Sequence, residues 1–128
     1  MHKSRLAALV LDSKVDDIEE ANIFWEQALG LECVRSDEDW SSKYSHLKVP
    51  KDQPHILVQK VAHESRVHID IETDNIPAEV SRLEGVGAKV IEKLERWVVM
   101  EAPTGHRFCV VNPQRDDFHD ADNVNTWK

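Results

Sequence analysis

The stretch Val67-His68-Ile69-Asp70-Ile71-Glu72 alternates strictly between apolar and polar residues. A strand points successive side chains to opposite faces, so Val67, Ile69 and Ile71 share one face and His68, Asp70 and Glu72 the other. The first face reads as core. The second sets an imidazole and two carboxylates in a row, with neighbours roughly 6.5–7 Å apart. On a solvated edge such a row is ordinary, and Glu72, near the strand end, is expected to be solvated. On the concave face of a sheet the row can hold a ligand or perform acid–base chemistry.

The pattern on either side divides the chain into two similar halves. Leu6–Leu11 is a continuous apolar run and reads as a buried strand. Asp16, Asp17, Glu19 and Glu20 load acid onto a helix start, where the macrodipole favours it. Ile18, Ala21, Phe24, Trp25, Ala28 and Leu29 follow at helical spacing, which packs Trp25 between helix and sheet, and Gly30 ends the helix. Strands are predicted over Leu31–Arg35, Lys43–Val49 and His55–Val61, with Pro50–Pro54 as a turn. The second half opens on the His68 strand. Asp74 or Asn75 caps a helix with Pro77 in its first turn and Val80, Leu83 and Val86 on one side. Gly87 closes it. Strands follow at Ala88–Leu94, Arg96–Glu101 and His106–Val111, the last two joined by the turn Ala102–Gly105.

Both halves therefore read β-α-β-β-β. Superposing Leu29-Gly30 on Val86-Gly87 also aligns Ala21 with Ala78. The expected fold is α+β, with eight strands and two helices in paired βαβββ modules. Each helix lies behind its strands, with a lined hollow in front. A single domain is expected over residues 1–128, with modules at about 5–61 and 65–112 and a polar tail over 113–128. Phe118 and Trp127 are the tail's large apolar groups and would anchor it.

Composition narrows the partners. A chain of 128 residues suffices for one sizeable core. The net charge of -8 repels phosphate backbones and offers anionic lipid no polybasic patch, so neither nucleic acid nor membrane is expected as a partner. No apolar run approaches the roughly 20 residues that span a bilayer. Leu6–Leu11 is shorter than a signal h-region and ends at Asp12, which predicts a cytoplasmic location. Cys33 and Cys109, in apolar runs without metal-ligand spacing, read as reduced thiols. No Gly-rich phosphate loop, HExxH pair or readable Ser/His/Asp order is present.

Several segments resemble the glyoxalase/bleomycin-resistance/dioxygenase group, the vicinal-oxygen-chelate superfamily. In the first half these are Asp17-Ile18, Phe24-Trp25 and Leu29-Gly30. In the second they are Val67–Ile71, Arg82-Leu83 to Gly87-Ala88, Trp97–Met100 and Ala102–Val111, whose Phe108-Cys109-Val110 is closest to the glyoxalase-like branch. The resemblance covers nearly the whole chain. It implies a curved mixed sheet around a central cavity, a homodimer, and either a metal-assisted lyase, isomerase or dioxygenase or a protein that binds a small organic molecule. In metal-binding relatives four strand positions hold the ion. His68 matches one of them. Cys109 stands where a glutamate is usual, four residues after Gly105. Leu6–Leu11 offers no histidine or glutamate, and Gln59 is the only candidate on the remaining strand. The set is incomplete, so no cofactor and no tightly held ion are expected, with a divalent metal as the alternative.

These readings define the candidates. His68 faces the cavity, and Asp70 could orient it or raise its basicity, making the two a catalytic pair. Cys109 is either a small buried hydrophobe or a zinc-binding thiolate. Arg107 has the parity of Cys109. It either meets an anionic group in the hollow or pairs with Glu101 across the hairpin. Trp40, Tyr44 and Trp97 are candidate aromatic walls for a flat ligand, with a loop cover for Trp40 and a cross-strand core position for Trp97 as alternatives. Gln59 completes the ligand-binding set. His46, His55, His63, His106 and His119 are assigned to surface or turn roles. Small-molecule binding without a complete metal site ranks above metal-dependent catalysis, and whether the protein is an enzyme stays open.

Overall fold

A computed structural model describes residues 1–35 and 43–128. The elements are β1 (His2–Ser13), α1 (Ile18–Leu29), β2 (Cys33–Val34), β3 (Tyr44–Leu47), β4 (His55–Lys60), β5 (Arg66–Thr73), α2 (Ile76–Gly85), β6 (Lys89–Lys93), β7 (Trp97–Glu101), β8 (Arg107–Val111) and β9 (Asn125–Trp127). Among the described residues this is an α+β fold of nine strands and two helices, its sheet mixed parallel and antiparallel. The chain forms two compact units, residues 8–67 and residues 1–7 with 68–128. β1 contributes to both.

In the unit of residues 8–67, the second half of β1 runs parallel to β4, β3 is antiparallel to β4, and β2 is antiparallel to β3. The Asp17 carboxylate caps α1 by accepting the Glu19 N–H at 3.0 Å. Gly30 ends it at φ 66°, the left-handed geometry that lets its N–H reach the Glu26 carbonyl. Ile18 and Ala21 pack on Val58, with Leu11 and Trp25 against them, so Trp25 lies where helical spacing predicted. Asn22 is buried on the same side and accepts the Ser45 hydroxyl from β3.

In the other unit β5 runs parallel to β8, β7 is antiparallel to β8, and β6 is antiparallel to β7, with a register shift between Val90 and Glu92. Asn75, not Asp74, caps α2 by accepting the Ala78 N–H at 3.1 Å. Val80 and Leu83 press on Val98, Met100, Phe108 and Val110, and Ile71 joins this cluster from β5. Burial of such side chains stabilises by roughly 1.5–3 kcal/mol each. Val86 is not on this face. It is the helix cap and is 68% exposed. Gly87 follows at φ 109°, and a Cβ there would sit 2.8 Å from Pro103 Cγ.

Three expectations are corrected. Of the presumed core row on β5 only Ile71 reaches the core; Ile69 and Val67 are 38% and 54% exposed. Ile71, near the C-terminal end of β5, packs on the cluster that holds Val80 and Leu83 of α2. β1 starts four residues earlier than the apolar run implied, because His2, Ser4 and Arg5 are buried through polar partners rather than apolar character. The tail supplies a ninth strand, β9, antiparallel to the start of β1. Its anchors are the expected ones. Phe118 is 1% exposed, and Trp127 donates to Ser4 Oγ at 2.8 Å while its ring lies 3.8 Å from the Arg82 guanidinium. Among the described residues no helix is long and apolar enough to cross a membrane.

Candidate functional site

Strand register decides what shares a face. Val110 is the register partner of both Ile71 and Val98, and all three pack with Val80 and Leu83 of α2. The adjoining rung, Asp70–Cys109–Val99, therefore points away from the helix. His68, two residues before Asp70, is on that side too. His68 Nε2 lies 3.4 Å from Asp70 Oδ1, and each side chain is 13% exposed. Cys109 joins them: one donor atom from each of the three residues lies within 4.8 Å of the others. His68, Asp70 and Cys109 thus form one cluster on the helix-free face. Asp70 Oδ1 is buried yet accepts no hydrogen bond. Such an oxygen costs about 1–3 kcal/mol unless something supplies a donor or a cation.

The neighbouring candidates divide. Arg107 pairs with Glu101 at 3.1 Å across the hairpin, the alternative raised from the sequence, and Lys89 approaches the same carboxylate at 3.7 Å. Trp97 stands opposite Val111 on the face of Cys109 and is 39% exposed. Glu72 is not solvated. It is fully buried; Oε2 accepts from Arg5 Nε at 2.7 Å and Oε1 from the backbone N–H groups of Gln114 and Arg115. It is a structural anchor for the tail. Trp40 lies outside the described residues.

In the unit of residues 8–67, Gln59 Nε2 donates to Tyr44 Oη at 3.1 Å between register partners. Both line an open groove of about 1070 Å³ with Lys14, Lys43, Lys60 and His63. Asp12 is the residue that sequence reasoning missed. It is the Cα partner of Gln59 on β1, as Asp70 is of Cys109 on β5. The signal was present: counting five residues back from the helix caps Asp17 and Asn75 reaches Asp12 and Asp70. The Asp12 side chain is 2% exposed and lies 3.6 Å from Arg66.

Charge is managed tightly around the tail. Burial alone would lower the Arg5 pKa, but hydrogen bonds to Asp117 and Glu72 outweigh it and raise it. Burial would raise that of Glu79; hydrogen bonds from Arg82, His2 and Ser4 bring it below the ordinary value instead. His2 Nε2 donates to Glu79 Oε1 at 2.7 Å.

The donor set of the cluster fits part of a metal site. An imidazole nitrogen, a carboxylate oxygen and a thiol sulfur are zinc's usual ligands, at about 2.0–2.3 Å each. Atoms within 4.8 Å of one another are close to what one ion needs, and the Asp70 oxygen without a hydrogen bond suits it.

Residues 8–111 match the family model of the glyoxalase-like domain, and the chain belongs to that family. Solved structures of the glyoxalase/bleomycin resistance/dioxygenase superfamily share the fold. Methylmalonyl-CoA epimerase from Mycobacterium tuberculosis superposes with TM-score 0.63 at 14% identity, over 85% of this chain and 87% of that one. A superfamily member from Vibrio splendidus gives 0.54 at 15%, over 86% and 99%. Homoprotocatechuate 2,3-dioxygenase from B. fuscum gives 0.55 at 16%, over 87% of this chain and 34% of that longer one. No curated protein matches the sequence.

Proposed function

We propose that this glyoxalase-like protein binds a small polar organic molecule at the His68–Asp70–Cys109 cluster, with residues 1–128 acting as one domain. The buried Asp70 oxygen that lacks a hydrogen bond carries the reading. A ligand hydroxyl or ammonium group would supply its missing donor. His68 would accept a proton from the ligand, with the Asp70 carboxylate at 3.4 Å stabilising the imidazolium formed. Trp97, on the same face, offers an aromatic wall. Gln59 and Tyr44, in the unit of residues 8–67, line a groove of their own with an amide and a phenol. One solved epimerase of this fold is described in complex with methylmalonyl-CoA, which favours an organic ligand for the fold in general. The two free thiols suit the reducing cytoplasm. A homodimer belongs to the proposal, and sedimentation tests it.

A second reading is favoured by the convergence of three donors. A divalent ion would be held by His68, Asp70 and Cys109, and would act as a Lewis acid toward a ligand oxygen. Native mass spectrometry and metal analysis of protein purified without chelator separate the two. A retained organic molecule, lost on His68→Ala, supports the first. Stoichiometric zinc, lost on His68→Ala and on Cys109→Ala, selects the second. If neither is retained and a fragment panel leaves the His68 imidazole resonances unmoved, the cluster is not a binding site.

A further inference from the structure

We propose a second ligand site, for a small organic cation on an aromatic or aliphatic body, in the pocket between the end of β1, α1 and the start of β5. This goes beyond the reading above and uses none of its residues. The pocket lies within residues 8–67 and encloses about 430 Å³, within the range of small-molecule sites. Its wall is apolar and aromatic. Leu11 and the rings of Phe24 and Trp25, which meet edge to face at 4.9 Å, line it. Among the described residues its charged lining is Asp12, Glu20 and Arg66, two carboxylates against one guanidinium.

The two partners of the Asp12–Arg66 pair are unequal. The Asp12 side chain is 2% exposed and fixed in a strand, whereas that of Arg66 is 47% exposed at 3.6 Å, longer than a hydrogen bond. A buried carboxylate holds its place, and an exposed arginine can swing into water at small cost. An ammonium entering the pocket would replace Arg66 beside Asp12, bringing a compact charge where a long, loosely seated one lies. Trp25 and Phe24 add to the preference, because aromatic faces attract cations and bury apolar stems. Phe24 is 59% exposed, so this wall is open to an incoming molecule. An anionic ligand would meet a net negative lining.

Benzylammonium, benzyl alcohol and benzoate form a matched probe series. They are titrated into the full chain while the Trp25 indole N–H is followed by NMR, assigned with Trp25→Phe. Benzylammonium is expected to give a saturating shift, benzyl alcohol about tenfold weaker binding and benzoate none. Asp12→Asn should weaken benzylammonium about tenfold. Asp12 is buried, so this variant can also unfold, and Arg66→Ala is then decisive. Removing the competing guanidinium should tighten benzylammonium binding about threefold. Unchanged or weaker binding in Arg66→Ala, or benzoate binding as well as benzylammonium, overturns the proposal. Failure here leaves the His68 cluster untouched, since no probe response at Trp25 reports on it.

Discussion

Arg5 and Glu72 form an ion pair 2.7 Å long in which the side chains are 3% and 0% exposed. Glu72 also receives two backbone N–H groups of the tail, and Arg5 reaches on to Asp117 and Asn123. Arg5 and Glu72 thus tie β1 and β5 to the root of the tail. Glu72→Gln removes the fully buried one of the two carboxylates that hold the Arg5 guanidinium and should cost about 3 kcal/mol. Urea denaturation measures it, and a change below about 1 kcal/mol would show that the tail does not depend on this pair.

Acid should loosen the same unit. Glu79 has a folded pKa below its unfolded value. Its contribution to stability is complete above the unfolded value and is lost as pH falls through the folded one. In the unit of residues 8–67, Glu19 is lowered by its hydrogen bonds with Arg35 and acts in the same direction on that unit. Stability of the wild type should therefore fall more steeply below the ordinary glutamate range than that of Glu79→Gln. Parallel acid limbs in thermal scans from neutral pH to pH about 3 would sink this expectation.

The glycine that ends α2 and the glycine two residues beyond it should respond with opposite sign. Gly87→Ala forces a Cβ against Pro103 at φ 109° and should destabilise by about 1–3 kcal/mol. Gly85→Ala meets nothing within 4 Å at the last helical residue and should stabilise by about 0.5–1 kcal/mol. Denaturant midpoints at unchanged slope report both.

Trp127→Ala removes the hydrogen bond to Ser4 and the ring beside Arg82. A loss of about 1–2 kcal/mol is expected. Amide exchange at Ser4 should quicken as β9 leaves β1, because Ser4 and Asn125 are partners there, whereas the Lys3 N–H is held by Asp74. Exchange equal to wild type would mean that the tail strand holds without its tryptophan.

The repeated β-α-β-β-β order was legible because periodicity and caps are local: Asp17, Gly30, Asn75 and Gly87 each announce a boundary through their own chemistry. β9 was not, since Asn125, Thr126 and Trp127 form a strand only because β1 offers an edge. Glu72 was misjudged for a similar reason. Its partners Arg5, Gln114 and Arg115 are distant in sequence, so no local pattern shows that a carboxylate there is sealed. Asp12 was missed through register. Aligning the halves at the helix ends places Asp12 against Ile69, one residue from Asp70, and a one-residue slip moves a strand residue to the opposite face. The His68–Asp70–Cys109 cluster was half visible: alternation put His68 and Asp70 on one face, while the approach of Cys109 to within a few ångströms needed the parallel pairing of β5 with β8.

The equivalent rungs Asp12–Gln59 and Asp70–Cys109 make the chemistry of this scaffold transplantable. Val10 precedes Asp12 by the interval that separates His68 from Asp70. Val10→His combined with Gln59→Cys would therefore place an imidazole, a carboxylate and a thiol at the equivalent strand positions of the other half. A single chain would then carry two copies of one reactive group, each testable against the other as its internal control.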